Sequence, residues 1–76
     1  MKTILFSGRS DHIQTENYNM ISIKDCPNET VIHVGYSNMG SKGLKVETGV
    51  YYNIHGADYI YFENSNECKV NYELHY

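Results

Sequence analysis

Apolar and polar residues alternate with a period of two through most of this chain, a spacing that predicts half-buried strands rather than helices. The last third carries the clearest case. Over residues 68–76, Cys68, Val70, Tyr72, Leu74 and Tyr76 share one face, and Lys69, Asn71, Glu73 and His75 share the other. Residues 59–63 point Ile60 and Phe62 inward and Tyr59 and Tyr61 outward, and the polar stretch 64–67 reads as a turn between these two strands. Upstream, residues 44–54 alternate as one strand: Leu44, Val46, Val50, Tyr52 and Ile54 face one way, and Lys45, Glu47, Gly49, Tyr51 and Asn53 the other. A bend or bulge is expected at Gly49 and a turn around Gly56.

The first half is sparser. Residues 2–7 form a strand with Ile4 and Phe6 on one face and Thr3 and Leu5 on the other, ended by Gly8. Residues 9–17 are polar without a clear period and read as a loop, with room for one helical turn and Ile13 as its apolar anchor. Two further strands, 18–24 and 30–36, flank the turn Asp25-Cys26-Pro27-Asn28-Glu29 and read as a hairpin, because proline presets the backbone angle of a turn and asparagine tolerates the next position. Residues 37–43 form a glycine-rich connection. With Gly35 they approach the phosphate-binding pattern G-x-x-x-x-G-K-S/T, but the last two residues are reversed and a strand-like run follows where phosphate binding needs a helix N-terminus.

These runs and turns predict an all-β chain, a small antiparallel β-sandwich or distorted barrel of about six strands. Its 76 residues form a single β domain over 1–76. A chain this short buries only about 60% of its unfolded surface, so an oligomer, a partner surface or a cross-link is expected to supply part of its stability. Eight tyrosines, two phenylalanines and no tryptophan suit pleated strands.

Charge narrows the classes of partner. The net charge is −3, and the basic residues Lys2, Arg9, Lys24, Lys42, Lys45 and Lys69 are scattered, whereas nucleic-acid binding needs a concentrated positive footprint. No nucleic-acid or membrane partner is expected. The apolar stretch Ile4 to Phe6 is too short for the core of a signal peptide, so the chain reads as not exported by the usual route. On that reading Cys26 and Cys68 are expected as reduced thiols, and the sequon Asn28-Glu29-Thr30 carries no weight.

Catalytic and metal chemistry find little support. His12, His33, His55 and His75 lack the short spacings of structural zinc ligands, and neither cysteine lies close to a histidine. Ser10 sits outside a G-x-S-x-G elbow, and Asp25 beside Cys26 disfavours a thiolate. The chain is read as non-enzymatic, with no catalytic residue, metal or cofactor. Tyrosine stands above this background. Tyr51, Tyr59 and Tyr61 fall on the side away from the core, among Lys45, Glu47, Lys69 and Asn71, and tyrosine on a polar face offers rigid contact area with a hydrogen-bonding tip. Tyr51, Tyr59, Tyr61, Lys45 and Lys69 are therefore the candidate protein-interface residues. The alternative is that these rings only cover neighbouring strands as cross-strand pairs.

The order Gly49-Val50-Tyr51-Tyr52-Asn53-Ile54-His55-Gly56-Ala57-Asp58-Tyr59-Ile60-Tyr61-Phe62, followed by a polar turn and Val70-Asn71-Tyr72-Glu73-Leu74, resembles the closing strands of small β-sandwich proteins of tailed-bacteriophage virions. The resemblance covers less than half of the chain. It implies a non-enzymatic structural role, as a capsid-decoration or tail and connector component in a symmetric assembly, made in the host cytoplasm and carried in the virion. Self-association or docking on other virion subunits is then expected through the tyrosine face and sheet edges. Two other readings use the same surface: a cytoplasmic inhibitor or adaptor that blocks one partner protein, as viral counter-defence proteins do, and a carbohydrate-binding module.

Overall fold

The computed structural model describes residues 2–37 and 40–76. Among these residues seven strands follow one another: β1 (Lys2–Arg9), β2 (Ile13–Gln14), β3 (Met20–Asp25), β4 (Val31–Tyr36), β5 (Gly40–Lys45), β6 (Tyr51–Asn53) and β7 (Tyr59–His75). All pairings are antiparallel, and the sheet curls into a half-barrel, so the chain is all-β as its alternation predicts. No helix forms among the described residues, and none is therefore long and apolar enough to cross a membrane.

β7 organises everything else. The hydrogen-bonded path runs β5-β4-β7-β3-β6, and β1 and β2 also pair with β7. The first part of β7 is flanked by β4 and β2, and the later part by β3 and β1. Because one 17-residue strand serves both groups, its right-handed twist carries the sheet around the core. That core is the inward alternation of several strands: Phe6 from β1, Ile21 and Ile23 from β3, Ile32 and Val34 from β4, and Ile60, Phe62, Cys68, Val70 and Tyr72 from β7.

Several expectations about the strands are corrected. Residues 64–67 do not turn the chain; they pass through as a bulge in β7, since Ser7 pairs with Glu67 while the next residue, Gly8, pairs with Asn64. Burial is the reason. Asn64, only 3% exposed, donates from Nδ2 to the Asn28 carbonyl at 3.1 Å and to Thr30 Oγ1 at 3.0 Å, and its Oδ1 accepts from the Asn66 N–H at 3.0 Å. A polar side chain that would suit a turn is instead satisfied inside the sheet.

The second correction concerns β3 and β4, which do not form a hairpin: each pairs with a different part of β7. Thr30 Oγ1 donates to the Pro27 carbonyl at 2.7 Å, and Glu29 adopts a φ of 68°, so the connection carries the chain along β7 rather than back on itself. Third, residues 44–54 are not one strand. β5 ends at Lys45 on β4 and β6 starts at Tyr51 on β3, with the chain turning between them at Gly49, whose φ of 84° is a conformation that side-chain-bearing residues rarely adopt. Val46 and Ile54 are buried as expected, but Leu44 is exposed. Finally, β1 continues past Gly8 to Arg9, and the loop of residues 9–17 contains β2. Within the connection 37–43, β5 begins at Gly40, and Asn38 and Met39 lie outside the described residues.

Cys26 and Cys68 are free thiols. Burial, with a smaller contribution from Cys26, pushes the Cys68 thiol above its ordinary value, and burial likewise raises Tyr72. Both groups are neutral when protonated, so the native state holds protons that the unfolded chain releases. Stability is therefore expected to fall as pH rises past about 8.5, where an unfolded thiol ionises. Urea melts across the alkaline range check this, and a Cys68→Ala variant should show a shallower decline from its lower starting stability.

Candidate interaction surface

The face of the sheet turned away from the core is read from the strand register. Ser41, Gly35, Tyr59 and Gln14 lie in one row across β5, β4, β7 and β2. The next row holds Gly43, His33 and Tyr61, and the one after it Lys45, Val31, Glu63 and Arg9. Tyr59 and Tyr61 thus stand on the outer face, as their alternation predicts, and they meet opposite neighbours of very different size.

Gly35 leaves room for Tyr59. The ring lies across the glycine so closely that a Cβ there would overlap its Cζ, Cε1 and Cε2 atoms. This flattened ring begins a continuous stack. His12, from the loop between β1 and β2, lies 4.3 Å from the Tyr59 ring centroid at an interplanar angle of 5°, and 5.1 Å from Tyr61 at 17°. His33 stacks on Tyr61 at 4.4 Å and 11°. The Arg9 guanidinium carbon sits 5.4 Å from the Tyr61 centroid, within the range of cation–π attraction.

Glu63 ties this group together at its lower end. Its Oε1 accepts a 2.8 Å hydrogen bond from His33 Nε2, which assigns the proton to that nitrogen because a carboxylate only accepts. Its Oε2 lies 4.0 Å from Arg9. Tyr61 ends up 9% exposed although it points away from the core, covered by His12, His33 and Arg9. Tyr59 is half-buried and His12 exposed, so these two offer the accessible part of the stack.

Tyr51 belongs to a second cluster. Its ring is 5.4 Å from that of His75, with Lys24 Nζ 6.0 Å from its centroid and 3.9 Å from Glu73 Oε1. Ser22 Oγ lies 2.8 Å from His75 Nε2, a pairing reminiscent of a nucleophile and its base. Ser22 is only 2% exposed, however, so the imidazole serves to satisfy a buried hydroxyl.

The five candidate residues therefore do not share one patch. Tyr59 and Tyr61 come together, Lys45 reaches the margin of their cluster in the row of Glu63, and Tyr51 stands apart with His75. Lys69 lies opposite Leu5 on β1, away from the tyrosines, and Lys45 is 3.8 Å from Glu29. Glu47 donates its backbone N–H to Tyr52, and Asn71 accepts from Thr3, so neither surrounds the tyrosine pair. The residues that do surround it are His12, His33, Gly35, Arg9 and Glu63. His33-x-Gly35 and Tyr59-x-Tyr61 each show the period of a strand face, but nothing in either segment reveals that they lie opposite one another. His12 carries no such signal.

Among the described residues, no three histidine, cysteine, aspartate or glutamate side chains gather closely enough to hold a metal ion. The arrangement offers stacked rings, one guanidinium and one carboxylate on a firm sheet, which suits non-covalent contact. No family model, curated protein or solved structure matches this chain.

Proposed function

We propose that this protein is a non-enzymatic binding module of a larger protein assembly, and that it docks through the outer face centred on His12 and Tyr59. The observation that carries this reading is the preformed stack of His12, Tyr59, Tyr61 and His33 with Arg9 beside it. Aromatic and arginine side chains supply most hot-spot energy at protein interfaces. Rings already held by their neighbours lose little further freedom on binding, which lowers the entropic cost of association. The partial resemblance to small virion proteins gives the specific setting, a phage capsid-decoration or connector subunit whose partners are other virion proteins.

The test places a photo-crosslinking amino acid at Gln14, beside Tyr59, in cells that make the assembled particles. A single stoichiometric adduct with another particle protein is expected. His12→Ala and Tyr59→Ser, introduced separately, should each weaken binding to that protein by about thirtyfold, equivalent to about 2 kcal/mol. Folded variants that bind as tightly as the native chain would remove this face from the interface. An adduct with a host enzyme that is thereby inhibited would instead favour the inhibitor reading.

A further inference from the structure

The sheet has unpaired edges, and they differ in how they are guarded. β5 carries Lys42 and Lys45 and two glycines, a composition that discourages strand pairing. β1 is different. Among the described residues it pairs only with β7, so its other edge presents backbone N–H and C=O groups along Lys2–Arg9. From Thr3 to Ser7 this edge reads Thr-Ile-Leu-Phe-Ser, without charge, proline or glycine. At its centre Leu5 is 72% exposed on the outer face, and a shallow depression of about 630 Å³ lined by Leu5, Phe6, Ser7, Glu67, Cys68 and Lys69 lies beside it.

We propose that β1 pairs antiparallel with β1 of a second copy, across a two-fold axis at Leu5, and joins the two sheets. A two-fold axis there sets Leu5 against its own counterpart, Ile4 against Phe6, Thr3 against Ser7 and Lys2 against Gly8. From Thr3 to Ser7 each pair then joins apolar with apolar or small polar with small polar. The cations Lys2 and Arg9 sit at opposite ends of β1, and this register places no like charge opposite Lys2. Lys69 flanks Leu5 in the adjacent strand of each copy. Three strand spacings separate the two lysines, about 14 Å, which exceeds the screening length of about 8 Å in physiological salt. A foreign acidic strand would find favourable charge only at the ends of β1, whereas a second copy matches its apolar centre.

The contact is separate from the aromatic surface, so its failure would leave the docking reading intact. Sedimentation velocity of the untagged chain over a wide concentration range should show a reversible dimer. Leu5→Lys, which alters an exposed side chain, should shift it to monomer with an unchanged circular dichroism spectrum, while Ser41→Lys on β5 should leave it dimeric. Under mild oxidation, Leu5→Cys should give a covalent dimer beyond the native chain's level and Lys69→Cys should not. A native chain that stays monomeric, a dimer that survives Leu5→Lys, or one abolished by Ser41→Lys instead would overturn the proposal.

Discussion

Phe62→Ala is expected to leave much of the protein unfolded at physiological temperature. Phe62 is fully buried at the point where β7 pairs with β4, opposite Ile32, and its ring lies 6.3 Å from Phe6 and 5.8 Å from Tyr72. It therefore joins β1, β4 and both parts of β7 in one contact group. Truncating a buried phenylalanine costs about 3–5 kcal/mol, transfer and cavity together. A chain of this length has a total stability of about 4–11 kcal/mol. The loss is thus a large fraction of the whole. Phe62→Leu keeps most of the volume and should cost under about 1.5 kcal/mol. Urea unfolding followed by circular dichroism measures both; equal midpoints for the two variants would show that the cavity at Phe62 is not what limits stability.

The second large effect is expected at Gly35, from adding atoms rather than removing them. Gly35→Val should destabilise the protein by about 1–3 kcal/mol, since the new side chain occupies the seat of the Tyr59 ring. Valine is a better strand residue than glycine, so local preference alone predicts the opposite sign. The ring decides the outcome. Forced off its seat, Tyr59 would also leave His12, and the His12 ring protons should lose the upfield shift that stacking gives them. In a Tyr59→Ser background the obstacle is gone, and Gly35→Val should become neutral or stabilising. A double-mutant cycle reads this coupling directly. Additive effects, with the His12 resonances unmoved, would mean that the ring rests elsewhere in solution.

The same pair shows how far the sequence goes. The period of two assigns Tyr59 and Tyr61 to the outer face and Ile60 and Phe62 to the core, and both assignments hold in the structure. It does so because successive residues of a strand point to opposite sides whatever the strand pairs with. What the pairing brings to Tyr59 is a different matter. Gly35 precedes Tyr59 by 24 positions, and His12 precedes it by 47; no local rule links them. Arg9 and Glu63 are likewise brought side by side by the register of β1 on β7.

Turns mark the other boundary. Asn64-Ser65-Asn66-Glu67 has the composition of a turn, and in isolation those side chains would hydrogen-bond their own backbone or water. In the folded chain the Thr30 hydroxyl and the Asn28 carbonyl take up the Asn64 amide, so the strand continues. The segment 18–36 reads as a hairpin for the same kind of reason, with two alternating runs around Asp-Cys-Pro-Asn-Glu. Each run instead finds a longer partner in β7. By itself, then, the sequence determined that this protein is all-β, that Phe6, Ile21, Ile23, Ile60, Phe62 and Val70 face the core, and that the chain turns around Gly56, because these depend on alternation and backbone conformation over a few residues. Only the tertiary structure decided that one long bulged strand serves two sets of neighbours, and that His12, His33, Arg9 and Glu63 gather around Tyr61, because strand register is set by the simultaneous burial of residues far apart in the chain.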